Sequence, residues 1–468
     1  MPINQRSEKT RKAKKVKKCH CEPLKEVQES HREKNKGIMV NLLNKKIALE
    51  DIYKVADRII FNKFFQRKIF LIIIIAVLLI VFLIQVIPSA YQWDIDSPSF
   101  YTASKGITKE IDIYDWEEFQ ALADSIFGKS KRVYPYIYLP VLAQVFIPLT
   151  YLDYPEYFLF LFIFNILLSL LSIFLIYKLL DLKKVETQLP LIFLFFIMLG
   201  NIPLLTTIDY GQINILVFDL ILLSMVLLKT DKKFLSSLLL CLAIFFKIYP
   251  ALFLVLFLFE KKYRYILYSI INFTIILVLS GILFSPSYWY GFISMSFDNF
   301  ISGERANAFF DFGAYMNNCS LNGFLSNLFI RNDLPRAFIL PVIIILLIIM
   351  FFLFKSKIKE LIKWENLNLN ISIILTLILT LSIISWVHHY VIIIFPVAYL
   401  FKRIIQERRY IYFVPFSLLF YFIMYYPPWG GFPFNQIRFM SAIALLFFIA
   451  YYDFSKRKKK ADYSRAIV

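Results

Sequence analysis

The chain has 468 residues, of which 59% are hydrophobic and 18% charged, with 50 Phe against 12 Gly and a mean hydropathy of +0.64; that balance excludes an ordinary soluble domain. The net charge of +19 is concentrated at the ends: residues 1–68 carry 19 Lys/Arg against 8 Asp/Glu, and residues 456–468 carry 6 against 1. Both basic arms abut apolar runs, so attraction to anionic leaflet lipid and a topology signal explain them, and nucleic acid is not expected as a partner.

The chain begins with a basic tail, residues 1–68. Its "CHCEP" stretch places Cys19, His20 and Cys21 too close together to form a tetrahedral metal site alone. With Cys241 and Cys319 they make no disulfide framework, and no metal site is expected. Met39 is an alternative start. The first apolar run begins near residue 69, too late for a secretory signal, and is expected to stay as a span. Apolar runs of roughly 17 to 25 residues then recur, the length a helix needs to cross a bilayer. They do not alternate as barrel strands would, so helices are expected.

The Lys/Arg bias puts the N-terminus in the cytoplasm, and residues 69–88 cross outward. Residues 89–133 lie outside, and "YPYIYLPVLAQVFIPLTYLDYPE", with four prolines, reads as a helix or hairpin on the outer surface. Spans follow at 157–179, 189–206 and 212–228. The segment 234–264 starts and ends beside basic residues, so it goes out and back with "KIYP" at its tip. Each arm of 12 to 13 residues reaches only roughly 20 Å, which predicts two short helices broken at Lys247 and Pro250. Residues 265–285 cross outward, 286–335 form a second large outer loop, and 337–354 return. Two pairs complete the body, 369–386 with 389–401 and 410–426 with 434–452, before the basic tail at 456–468. The expectation is an all-α polytopic membrane protein of about 12 helices, two of them short, with both termini cytoplasmic. The membrane body covers residues 69–455.

This threading gathers the unusual polar residues on the outer side: Asp94 and Asp96, then Asp209, Gln212 and Asn214, then Lys247, Asn317, Asn318 and Ser320, and finally His388 and His389. Ionisable groups at a membrane are costly, so their clustering points to function. Singly, each has an ordinary reading: Asp94 and Asp96 as solvated loop acids, Lys247 as a snorkelling side chain, Asn317 and Asn318 as caps of a helix starting at "SLNGFLSNLF". No G-x-G-x-x-G and no Walker motif is present. A carboxylate base with lysine and imidazoles at a lipid surface suits displacement on a lipid phosphate ester.

The ordered pieces "DSPSFYTASKG", "DIYD", "YPYIYLP", "GQIN", "FKIYP", "NNCSLNGFLSNLF" and "SWVHHYVIIIFP" resemble glycosyltransferase family 87 of the GT-C superfamily. The resemblance covers most of residues 69–455 and leaves the N-terminal tail out. It implies a GT-C-type bundle in the cell membrane and hexosyl transfer, typically of mannose, from a polyprenyl-phosphate donor. The transfer would be inverting, on the extracytoplasmic face, to a lipid or glycan acceptor, with no cofactor required. Counting back from Phe100 and Tyr101 selects Asp96 over Asp94 as the implied base. Lys247, His388 and His389 are the implied donor-phosphate residues, with Gln212, Asn317, Asn318 and Tyr101 in the substrate site. The chain departs from the family in having Asn318 where Gln is usual and "YPYIYLP" for the usual YPP. A transporter or lipid flippase is the alternative, since broken helices suit carriers too. A polysaccharide polymerase or ligase, drawing on Arg305, Arg331 and Arg336, is a third.

Overall fold

The structure, a computed structural model, describes residues 51, 53–62, 67–88, 96–129, 131, 133–296, 318–329, 366–382, 384–426 and 432–466. The "CHCEP" stretch, Met39, Asp94, Asn317, the arginines at 305, 331 and 336, and the expected span 337–354 all lie outside the described residues. The chain divides into two units, Met1–Lys63 and Phe64–Val468. In the first, residues 53–60 are helical.

The regular elements of the second unit are all helices among its described residues. It opens with α1 (Lys68–Val86), whose Ile69, Ile72, Ile73 and Ile80 are exposed, as suits a lipid-facing helix. Two short helices follow, α2 (Ser97–Thr108) and α3 (Trp116–Phe127). The Asp115 carboxylate caps α3 by accepting from the Glu117 and Glu118 amides at 2.9 and 3.0 Å. The proline-rich outer segment becomes α4 (Pro140–Phe146), continued by a 3-10 turn at Ile147–Tyr151, and both pack against α2. Next comes α5 (Tyr154–Leu179), with Pro155 in its first turn where a missing amide costs nothing.

The sequence predicts one span over 189–206, but the structure bends it into α6 (Leu189–Leu199) and α7 (Ile202–Asp209), 41° apart. Asn201 makes the bend. Its Nδ2 donates to the carbonyls of Ile197 and Met198, and its Oδ1 accepts the Leu204 amide at 2.7 Å. One side chain thus closes one helix and starts the next. The chain continues through α8 (Asn214–Lys229), α9 (Lys233–Phe246), α10 (Leu252–Phe259), α11 (Tyr263–Leu283) and α12 (Ser287–Ser296). Later come α13 (Leu321–Phe329), α14 (Leu367–Leu381), a 3-10 segment (Val387–Ile393) running into α15 (Ile394–Gln406), then α16 (Phe413–Met424) and α17 (Ile437–Ala466).

Among the described residues five helices are long and apolar enough to cross a membrane, or six with the bent pair. The other predicted crossings that fall on described residues, such as 212–228, 369–386 and 410–426, are shorter helices. The expected hairpin is present as α9 and α10, separated by extended backbone at Lys247 (φ −149°, ψ 132°).

Pairings along the helices define two ends. α5 and α8 run parallel: Asn165 bonds the Gln212 carbonyl, Ser172 bonds Asp219, and Lys229 Nζ donates to the Leu179 carbonyl at 2.7 Å. Lys402 and Asn368 donate to the carbonyls of Leu180 and Leu179 beside it, so cations gather at the α5 C-terminus, where the helix dipole favours them. The opposite ends of α8, α9 and α14 point toward Asn214, Lys247 and the histidine pair. That polar end lies roughly 23 Å from the basic end along the 16-residue α8.

Candidate active site

Four interruptions of regular helix meet at the polar end. The first is the turn between α7 and α8. Gly211 takes φ +59°, and a Cβ there would lie 2.5 Å from the Ser97 Cβ, so only glycine fits both the backbone and the space. The Ser97 amide donates to the Tyr210 carbonyl at 3.1 Å. The N-terminus of α2 is thereby fastened to the Gly211–Gln212 turn, and Asp96 is delivered to it. Gly211→Ala is expected to push these two segments apart, lowering the melting temperature in detergent and turnover together. The left-handed backbone alone costs an alanine about 1–2 kcal/mol.

The second interruption is the break at Lys247, whose buried Nζ is stretched into a ring of partners. It donates to Asn214 Oδ1 at 2.6 Å and Gln212 Oε1 at 3.2 Å, and meets His389 Nε2 at 3.3 Å. It also stands 5.3 Å from the centre of the Tyr138 ring. Tyr138 is held in turn, since Gln212 Nε2 donates to its hydroxyl at 3.2 Å.

The third is the 3-10 segment bearing the histidines. The Trp386 amide donates to His389 Nδ1 at 3.1 Å, which turns Nε2 toward Lys247. The His388 carbonyl accepts from Thr207 Oγ1 at 3.1 Å and Asn214 Nδ2 at 3.2 Å. Asn214 therefore bridges lysine and histidine segments, one end of its amide to each. The His388 ring lies edge-on to Tyr210 and Trp386.

The fourth is Asp96 itself. It occupies the N-cap position of α2 yet makes no side-chain cap bond. It is 7% exposed, and its Oδ2 is buried without a hydrogen-bond partner. A solvated loop acid or a cap would be spent on water or backbone; this carboxylate is held in reserve. Burial raises its pKa to about 6, against the lowering effects of a Gln212 hydrogen bond and the Lys247 charge.

The structure thus brings Asp96, Gln212, Lys247, His388 and His389 together from four separate stretches of sequence. Asn318 stands one step behind. Its Oδ1 accepts the Ser385 amide at 2.8 Å, and the Cys319 amide donates to the Ser385 carbonyl at 2.7 Å. This brace holds the segment leading into the histidines. Helix capping, the ordinary reading of Asn318, is done by Ser320, whose Oγ accepts the Gly323 amide. Tyr101 is not in the cluster: its hydroxyl donates to the Leu152 carbonyl at 2.8 Å, and its ring packs on Tyr154 and Tyr157. A residue five positions beyond Asp96 on α2 lies more than a turn away from it.

Sequence reasoning missed Tyr138, Thr207 and Arg438. Tyr138 sits in the quoted "YPYIYLP", where any of three tyrosines could have been chosen. Arg438 is buried at 2% exposure and donates to the carbonyls of Ile423 and Tyr426. A lone arginine in an apolar run was the available signal. Among the described residues no group of three or more His, Cys, Asp or Glu is placed to hold a metal ion.

A family model described as glycosyltransferase family 87 matches residues 136–358, just under half of the chain. The match takes in Tyr138, Gln212, Asn214 and Lys247, while Asp96 and the histidine pair lie outside it. No curated protein and no solved structure matches. Together with the apolar helices, that match points to a membrane glycosyltransferase.

Proposed function

We propose that the protein transfers a hexose, mannose in the first instance, from a polyprenyl-phosphate donor to a hydroxyl of a lipid or glycan acceptor, with inversion. The observation that carries this reading is the buried, unspent carboxylate of Asp96 beside the Lys247 cluster. In the reaction, Asp96 takes the proton of the acceptor hydroxyl as its oxygen bonds to the anomeric carbon. The bond from that carbon to the phosphate oxygen breaks with its electron pair, and polyprenyl phosphate leaves. Lys247 and His389 face the place where that charge builds, and His388 holds the wall behind them. Tyr138, Gln212 and Asn214 fix the lysine so that little reorganisation accompanies the reaction.

The basic end of the bundle suits a cytoplasmic leaflet, with the tails on anionic lipid and the site on the extracytoplasmic face of the cell membrane. On this reading neither a metal nor another cofactor is required, and nucleic acid is not a partner. The family match over residues 136–358 favours group transfer over the transporter alternative.

The donor class is tested by offering the purified protein one sugar on three carriers: polyprenyl phosphate, polyprenyl diphosphate and a nucleotide. Transfer from the monophosphate alone is expected. Transfer from the diphosphate would move the protein to the polymerase and ligase class, and transfer from the nucleotide would reject a lipid-linked donor.

A further inference from the structure

At the other end of α2 lies a second concavity that the chemistry above does not use. It is a cleft of about 960 Å³ between α2, α3, the 3-10 turn after α4 and the start of α5. Lys105, Lys109 and Lys131 line it against a single carboxylate, Asp153. Two of the lysines are held along an aromatic wall. Lys105 Nζ lies 4.8 Å from the Tyr101 ring centre, and Lys131 Nζ lies 5.4 Å from that of Tyr154 and 5.7 Å from that of Phe127. Ammonium groups lying on ring faces stay at the cleft wall instead of trailing into solvent. At the rim Tyr151 is 89% exposed, presenting a flat apolar face and a hydroxyl together.

We propose that this cleft binds a phosphate-bearing sugar, the anionic part of the acceptor. Three lysines against one aspartate leave an excess of positive charge that selects an anion. The exposed tyrosine face offers what a sugar ring stacks on and a bare phosphate cannot use. The link to catalysis is α2, which starts just after Asp96 and carries Tyr101 and Lys105 roughly 8 and 14 Å beyond it. Ser97 Oγ and the Tyr154 hydroxyl, 2.7 Å apart, join the residue after Asp96 to the cleft wall. Tyr101, expected in the substrate site, lines this cleft. That the sugar phosphate is the acceptor rests on the proposed function; the binding itself does not.

The test is calorimetric titration of glucose 6-phosphate, inorganic phosphate and glucose into the full chain in detergent, with Asp96→Asn present so that no turnover intervenes. Glucose 6-phosphate is expected to bind at least tenfold more tightly than either fragment. The triple change Lys105→Gln, Lys109→Gln, Lys131→Gln is expected to weaken it at least tenfold, and the same three changes to Arg to retain it. Tyr151→Ala is expected to reduce the sugar phosphate to the level of inorganic phosphate. Displacement of glucose 6-phosphate by phosphatidylglycerol micelles, but not by phosphatidylcholine, would assign the phosphate to a lipid-borne acceptor, and no displacement to a soluble glycan. Equal binding by the Gln variant, binding of inorganic phosphate as tight as that of glucose 6-phosphate, or no binding at all overturns the proposal. Because the protein assayed lacks the Asp96 carboxylate, failure here leaves the role of Asp96 standing, and loss of that role leaves the cleft standing.

Discussion

Lys247→Met is expected to cut turnover by roughly 10²–10³-fold, the usual cost of removing one preorganised group that stabilises charge in a transition state. The change keeps an unbranched, flexible side chain but deletes every bond at Nζ. Asn214 Oδ1 and Gln212 Oε1 then lose their donor while remaining buried, and each such orphan costs about 1–3 kcal/mol. A lower melting temperature should accompany the loss of activity. Lys247→Arg is expected not to rescue, because a planar guanidinium cannot occupy a site shaped around one nitrogen with Asn214 at 2.6 Å. Two assays separate the effects: thermal unfolding in detergent for the structural part, and release of polyprenyl phosphate per folded molecule for the chemical part. Normal turnover by either variant would remove the lysine from the reaction.

Asp96 sets a second large effect, with a definite dependence on pH. A general base must be ionised, and burial holds this carboxyl protonated up to about pH 6. The rate constant kcat/KM is therefore expected to fall tenfold per unit below pH 6 and to level off above it. Stability should move the other way. Folding raises the pKa, so the folded chain binds the proton more tightly than the unfolded one, and ionisation lowers stability as pH rises from about 4 to about 6. Asp96→Asn removes that cost. It is expected to be at least as stable as the wild type near neutral pH while losing roughly 10²–10⁴-fold in rate. Stability gained while activity is lost distinguishes a catalytic carboxylate from a structural one, whose removal would lower both.

Much of this arrangement was legible in the sequence. Basic residues mark the α5 and α8 C-termini, and the polar motifs fall at alternate turns, so the order of crossings predicted that "GQIN", Lys247 and the histidine pair would meet. The short hairpin was readable because its arms are too brief to span and Lys247 and Pro250 interrupt them. What the sequence hid was angular and lateral. Nothing in "MLGNIP" states that Asn201 will bond across a 41° bend; that depends on which face the two helix ends present to one another. Adjacency to Asp96 in sequence put Tyr101 at a distance from it along a helix. An amide before a helix can read as a cap, whereas here Ser320 caps and Asn318 is drawn to the Ser385 backbone. Local propensity does not encode which of two neighbouring polar residues a distant segment will claim.

The central claim is that the buried Asp96 carboxylate drives glycosyl transfer from a lipid phosphate. Its most direct test supplies sugar-labelled polyprenyl-phosphate-mannose and acceptor lipid to purified wild type and Asp96→Asn, with free polyprenyl phosphate and labelled product as the readout. Product and equimolar polyprenyl phosphate from the wild type, with at least a hundredfold less from a folded Asp96→Asn, is the predicted result. Equal rates from the two proteins would contradict it and return Asp96 to the ordinary chemistry of a loop.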